Sequence, residues 1–346
     1  MDFKNKLTYW YSNNKRDLPW RNTKNPYHIW LSEIILQQTQ VKQGLPYYDA
    51  FIKQYPSVFD LANASEQDVL KLWQGLGYYS RARNLHTTAK YVAFELNGNF
   101  PDNYNGLIKL KGVGDYTASA IASIAFNEVA AVVDGNVYRV LSRYYGINTP
   151  INSTKGIKEF KELASSLIDK NEPATFNQAI MEFGATQCKP KNPHCIVCPL
   201  NESCVALQKN LIDSLPVKLK KTKVKNRFFN FLVCIDKRKN TILEKRTSKG
   251  IWQNLYQFPL IESNKSLSPE EFHLLNKEDS ILHNLEFDYS LYNKEDKIHK
   301  LSHQHLHTKF WIIETEELSK NTISITDLKS YPVPVLIGDF IEAFNF

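Results

Sequence analysis

Two carboxylates and four cysteines have a type and spacing that permit chemistry. Asp134 follows the apolar run Val129 to Val133 and precedes Gly135-Asn136, where a helix pattern opens over Val137 to Tyr145. It is thus placed beside apolar surface and at a helix N-terminus. Burial raises a carboxyl pKa and the helix dipole lowers it, so the sequence leaves the balance open. Glu33 lies in LSEIILQQTQV, at helical spacing from Trp30 and Gln37, with Leu31, Ile34 and Ile35 supplying an apolar face. A carboxylate in such a run can hold its proton to higher pH and act as a general acid. Taken alone, it also describes a solvated residue on an amphipathic helix. Four of the five cysteines, Cys188, Cys195, Cys198 and Cys204, follow the pattern C-x6-C-x2-C-x5-C. In a reducing compartment a tight group reads as a metal site rather than disulfides. Four thiolates suit a 4Fe-4S cluster or zinc; zinc ribbons use two C-x2-C pairs, and only one is present.

The elements that would position these groups are legible. Asn25-Pro26 reads as a helix start, with Asn as cap and Pro in the first turn. Gly112-Val113-Gly114 forms a tight turn before a helix over Thr117 to Phe126, and its amides would seat an anion such as a phosphate. Gly75 and Gly77 place Leu76, Tyr78 and Tyr79 on another turn, whose exposed tips could wedge between bases, with Arg81 and Arg83 following for phosphates. Arg16 and Arg21 flank an aromatic and proline turn. The stretch 213–227 reads as a basic linker, with Lys218, Lys220, Lys221, Lys223, Lys225 and Arg227. From Phe228 the pattern alternates like strands, with a helical segment near 270–276. Cys234 sits in an apolar strand as a core residue. His303, His305 and His307 would share one strand face; a polar face is the simpler reading and a zinc site the other.

Composition bounds the rest. A chain of 346 residues, 42% hydrophobic, suggests two domains. The net charge of +7 fits a polyanionic partner. No apolar run is long enough to span a bilayer, and the N-terminus lacks the apolar core of a signal peptide. An intracellular protein with no membrane association is expected.

LSEIILQQTQV, GLGYY, GVGDYTA, VDGNV and the four-cysteine loop occur in the order found in adenine DNA glycosylases of the MutY type. The chain resembles that family over nearly its whole length. The resemblance implies an α+β multidomain fold. A helical catalytic region over 1–212 would hold the helix-hairpin-helix core and an iron-sulfur loop. The linker 213–227 would join it to a Nudix-like lesion-recognition domain over 228–346. The Nudix signature, a Gly followed by spaced Glu and an R-E-x-x-E-E core, is missing, so pyrophosphate hydrolysis is not expected. The implied substrate is adenine mispaired with 8-oxoguanine or guanine in double-stranded DNA, and the implied cofactor is a 4Fe-4S cluster on the four cysteines.

Residue roles follow by the same resemblance. Glu33 would protonate adenine N7 and Asp134 would stabilise the sugar cation, with Tyr116 and Asn136 positioning them. Gln38, Leu76 and Tyr78 would fill the gap left by the flipped base. Arg16, Arg21, Gly112 and Gly114 would hold DNA. Ser302 and His303 would read the lesion, although Leu301 stands where the family has Phe. Bifunctional relatives carry a lysine where this chain has Tyr116, so a monofunctional enzyme is expected. A monomer in the cytoplasm, associated with the nucleoid of a bacterial-type cell, is expected. Two alternatives stay in view: a bifunctional glycosylase and lyase of the endonuclease III type, and a non-catalytic iron-sulfur DNA-binding protein.

Overall fold

A computed structural model describes residues 2–219, 224–273, 282, 286–318 and 321–346. The chain divides into two compact units that are discontinuous in sequence. One holds residues 1–63 with 84–220, the other 64–83 with 221–346.

The first unit is helical. Its principal helices are α1 (Phe3–Asn14), α2 (Pro26–Leu36), α3 (Val41–Gln54), α4 (Asp115–Phe126), α5 (Gly135–Tyr145), α6 (Thr154–Leu167) and α7 (Pro173–Thr186). The cap expected at Asn25 is present: its side chain accepts from the Tyr27 amide at 2.9 Å, with Pro26 at the first position. α2 is buried nearly all round, with Ile29, Trp30, Leu31, Ile34 and Ile35 inside. Each such side chain contributes roughly 1.5–3 kcal/mol on leaving water. α4 starts two residues before the expected Thr117, and its alanines and serines let α2 pack closely on it. It stops at Asn127, whose φ of +59° ends the helix. α5 also starts earlier than expected, at Gly135, with Asp134 as its cap. α7 packs against α1, α4 and α5 and so forms the common wall of the unit.

The second unit is built on a five-stranded sheet. Its strands are β1 (Lys225–Asp236), β2 (Leu260–Ser263), β3 (Phe287–Leu291), β4 (Lys297–Lys300) and β5 (Gln304–Thr315). The long central pair β1 and β5 is parallel, in register from Lys225 opposite Gln304 to Asp236 opposite Thr315. β2 pairs antiparallel with β1, and β3 and β4 pair antiparallel with opposite ends of β5. Alternation sends Leu232, Cys234, Trp311 and Ile313 to one face, where Phe272 stacks on Trp311 at 4.0 Å. Cys234 is the core residue expected of it. Phe231 and Phe310 face the other way, and Phe310 stacks on Phe340 of the helix Val335–Ala343 at 4.1 Å.

Three differences from the sequence reading concern this unit. Residues 64–83 group with it rather than with the helical region: Asn254 donates to Glu66 at 2.6 Å and Arg83 to the Gln253 carbonyl at 2.8 Å. The end of the expected linker is already strand from Lys225 onward, while Lys220, Lys221 and Lys223 lie outside the described residues. The helix near 270–276 is present as Pro269–His273, and 274–276 likewise lie outside them.

Candidate active site

Four helical elements meet around one cavity of about 170 Å³ in the first unit. α2 contributes Glu33, α4 contributes Tyr116, the start of α5 contributes Asp134 and Asn136, and α7 contributes Met181 and Glu182. Arg16 and Arg21, from the turn after α1, also line it. Six residues singled out in the sequence therefore come together: Glu33, Tyr116, Asp134, Asn136, Arg16 and Arg21.

The two carboxylates have different surroundings. Glu33 is 8% exposed, and its pKa is pushed up to about 7. Burial is the main cause, reinforced by the nearby charge of Asp134 and opposed by a hydrogen bond from Tyr116 and by Arg21. Asp134 Oδ1 accepts from the amides of Asn136 at 2.9 Å and Val137 at 2.8 Å, and Oδ2 accepts from the Asn136 side chain at 2.7 Å. Burial again dominates and holds the pKa above the ordinary carboxylate value, while these three donors and Arg139 limit the rise. Donors aimed at a carboxylate favour its charged form. Glu33 is thus the group suited to carry a proton near neutrality, and Asp134 the group suited to carry charge.

Tyr116 is held well above the ordinary tyrosine pKa by burial and by the charges of Glu33 and Asp134, so its hydroxyl stays protonated. No lysine is among the described side chains lining the cavity. Arg139 orients Asn136 from behind: its guanidinium donates to Asn136 Oδ1 at 2.9 Å, the Gly184 carbonyl at 2.6 Å and the Cys188 carbonyl at 2.7 Å. Gly184 permits this approach, since a Cβ there would sit 2.6 Å from that of Asn136.

Glu182 was not singled out in the sequence. Its signal was a charged residue within the apolar helical run Ile180-Met181-Glu182-Phe183. Its buried carboxylate takes two bonds from the Arg16 side chain, both 2.7 Å, and one from Arg21 at 2.6 Å. The arginines, read from sequence as DNA contacts, both pair with this buried carboxylate, and the Arg16 side chain stays 39% exposed. Burial alone would raise the Glu182 pKa; the arginines outweigh it and hold it to about 2. The folded value lies below the unfolded one, so this stability is present above about pH 4.5 and is lost as pH falls towards 2. Glu182→Gln leaves two guanidiniums without their partner. It should lower unfolding stability at neutral pH by about 3 kcal/mol, read from urea denaturation.

The remaining predicted residues lie elsewhere. Gly112 has φ +82°, and a side chain there would meet Asn84 at 2.8 Å; one at Gly114 would project into open space. Gln38, just past the end of α2 at φ +56°, is not among the residues lining the cavity. In the second unit, Tyr78 is 50% exposed, but Leu76 is 5% exposed and Tyr79 is also buried. Only Tyr78 of that turn projects outward, because the turn folds onto its own support: the Trp73 indole donates to the Gly77 carbonyl at 3.0 Å. Arg81 is buried and donates to the carbonyls of Leu76 and Gly77 at 3.2 and 3.1 Å. It braces the turn instead of reaching for phosphate. Ser302 and His303 are exposed in the connection between β4 and β5, with the Ser302 hydroxyl 3.3 Å from His303 Nδ1. His303 precedes the strand, and His307 stacks on Phe228 at 4.8 Å. Among the described residues no three His, Cys, Asp or Glu converge on a single-ion site, so the histidines form none.

The four cysteines line one cavity near Arg143. Four thiolates lining one space suit a cluster with one thiolate on each iron. Burial raises the thiols of Cys195, Cys198 and Cys204, Cys198 to about 11, and neighbouring thiolates raise these three further. A multivalent cationic centre relieves both costs. Arg143 donates to Cys188 Sγ at 3.6 Å and to the Lys189 carbonyl at 2.7 Å, which braces the loop. The donor set thus fits an iron-sulfur group.

Residues 31–166 match the family of the HhH-GPD superfamily base excision DNA repair protein, and 230–343 match the NUDIX domain. Among solved structures, a thermostable thymine-DNA glycosylase is 32% identical with a TM-score of 0.55, covering 60% of this chain and 95% of its own. An endonuclease III trapped covalently on DNA is 22% identical with a TM-score of 0.53, covering 60% of this chain and 94% of its own, a likeness of fold alone. The adenine DNA glycosylase of Buchnera aphidicola subsp. Acyrthosiphon pisum is 34% identical over 91% of this chain and 87% of that protein. The one from Buchnera aphidicola subsp. Baizongia pistaciae is 40% identical over 76% and 74%. The Mus musculus enzyme is 46% identical over 62% of this chain and 44% of its own. With a helical repair core, a NUDIX-type second unit, paired carboxylates in one cavity and similarity that runs through most of both chains, this protein belongs to the adenine DNA glycosylase family.

Proposed function

We propose that this enzyme hydrolyses the N-glycosidic bond of adenine mispaired with 8-oxoguanine or guanine in duplex DNA, and leaves an abasic site without cutting the strand. The observation that carries the reading is the pair Glu33 and Asp134: two carboxylates in one cavity, one kept protonated by burial and one kept ready to ionise by three hydrogen-bond donors. Adenine must leave the stack to reach them, at a cost of a few kcal/mol. Glu33 gives its proton to adenine N7 while the bond from C1′ to N9 breaks and its electron pair moves onto the base. The sugar becomes cation-like, and Asp134 offsets that charge by electrostatics or brief covalent capture, the logic of paired carboxylates in glycoside hydrolysis. Water then adds at C1′ and its surplus proton restores Glu33. Tyr116 supports the monofunctional outcome, because a protonated phenol in place of an amine forms no Schiff base with the sugar.

Gly112 and Gly114 would seat a phosphate on the turn before α4, with the open space at Gly114 in favour of close approach. Gln38 and Tyr78 are the exposed candidates for filling the vacated stack, and Ser302 and His303 for reading the opposite base. Cys188, Cys195, Cys198 and Cys204 would hold a 4Fe-4S cluster that supplies no step of the hydrolysis and organises the loop. Cys198→Ser should lower iron and sulfide content together and lose the cluster's visible absorption; full retention of both would count against this ligand set. A monomer acting at the nucleoid completes the reading.

A single-turnover assay tests the function. Duplexes carry one labelled adenine opposite 8-oxoguanine, guanine or thymine, and each sample is split, with and without alkali. Breaks only after alkali, and only opposite the two purines, are expected. Breaks without alkali would move the enzyme to the endonuclease III type. No release from protein that carries its cluster would leave a DNA-binding role.

A further inference from the structure

Asp134 is delivered by Val129 to Val133, a run that belongs to no helix or strand. Backbone groups in such a run need partners from elsewhere. One side chain of α7 supplies two of them. Asn177, 1% exposed, donates from Nδ2 to the Ala130 carbonyl at 2.8 Å and accepts at Oδ1 from the Val132 amide at 3.2 Å. Its second Nδ2 bond goes to Ser123 Oγ of α4 at 2.9 Å, so both amide hydrogens are engaged. On the other side of the run, Lys161 of α6 donates to the Ala131 carbonyl at 2.8 Å. Asparagine suits this place because one short amide offers donor and acceptor together, matching the carbonyl and N–H of residues two apart. The same helix, α7, carries Met181, 3.2 Å from the Tyr116 hydroxyl, and Glu182 of the cavity wall. A shift of the run relative to α7 is therefore a shift of Asp134 relative to the rest of the site.

We infer that Asn177 is a positioning residue for base release: its amide locks the run at Ala130 and Val132, and thereby sets where Asp134 stands against the flipped nucleotide. The inference rests on the glycosylase reading above. A displacement of about 1 Å in a catalytic group can cost about 100-fold in rate. Asn177→Ser should therefore slow single-turnover adenine release by about 10- to 100-fold, with the dissociation constant for the mispaired duplex changed by less than about 2-fold. Ser123→Ala, which removes the third bond and the hydroxyl's own bond to the Ala120 carbonyl within α4 but leaves both bonds to the run, should release adenine at the wild-type rate. In an Asp134→Asn background, Asn177→Ser should cost less than about 2-fold more, because two residues acting through one group are not additive. Asn177→Asp, which keeps the acceptor and the shape, carries the comparison if the serine variant does not fold. Rate losses that multiply in the double variant, an equal loss in Ser123→Ala, a parallel loss of binding, or wild-type release by Asn177→Ser would each overturn the inference while wild-type activity stands. Absence of release from the wild type would overturn the function, and this inference with it.

Discussion

Glu33→Gln should slow adenine release by about 10³-fold under single turnover while mismatch binding persists, since a positioned general acid contributes typically 10²- to 10⁴-fold. The replacement keeps the shape and can still accept from Tyr116, but an amide has no acidic proton to give to N7. The wild-type pH profile carries the same information. Release needs Glu33 protonated, so the rate should fall as pH rises through about 7. Its folded pKa also lies above its unfolded value of 4.5, so keeping it buried costs stability that grows as pH rises from about 4.5 to 7. The glutamine variant should consequently be more stable than wild type above neutrality, by about 2–3 kcal/mol in chemical denaturation. A dead and more stable variant is the signature of a group kept for chemistry at the expense of the fold. Normal release by Glu33→Gln would remove Glu33 from the mechanism.

Asp134→Asn should be the second largest loss, about 10²- to 10³-fold in release rate, the range seen when one preorganised electrostatic group is removed. The asparagine can still cap α5 by accepting from the Asn136 and Val137 amides through one oxygen. Its amide nitrogen must then face the Asn136 side chain, which now donates to Asp134 Oδ2 at 2.7 Å. Stability should change little beside the rate. The pH profile should change in two ways. The acid limb, which reflects protonation of Asp134, should disappear. The basic limb should move to lower pH, because the charge of Asp134 is among the causes that raise Glu33. A profile unchanged in both limbs would show that Asp134 is a helix cap and nothing more.

Much of the site could be read from local pattern. The caps at Asn25 and Asp134, the turn at Gly112 and the arrest of α4 depend on residues within one or two turns of each other. Short-range backbone chemistry determines them. The same locality made the four-cysteine loop and the placement of Glu33 in an apolar run recognisable. The second unit's alternation likewise announced strands, and Cys234 fell where an apolar strand residue should.

What the tertiary structure decided was the partner of each polar group. Nothing near Arg16 and Arg21 in the sequence names their partner: Glu182, up to 166 positions away, pairs with both in the cavity wall. Arg81 and Leu76 look exposed until the turn folds over its own support. Residues 64–83 join the sheet unit because their partners, such as Asn254 and Gln253, come from it. By itself the sequence determined the helices, turns, cysteine loop and paired carboxylates, because spacing along the chain sets local conformation and the faces on which side chains fall. Only the folded chain determined burial, ion pairing and the asymmetry between Glu33 and Asp134. Desolvation and hydrogen bonding depend on atoms brought together from distant segments, and no local spacing encodes which of them will meet.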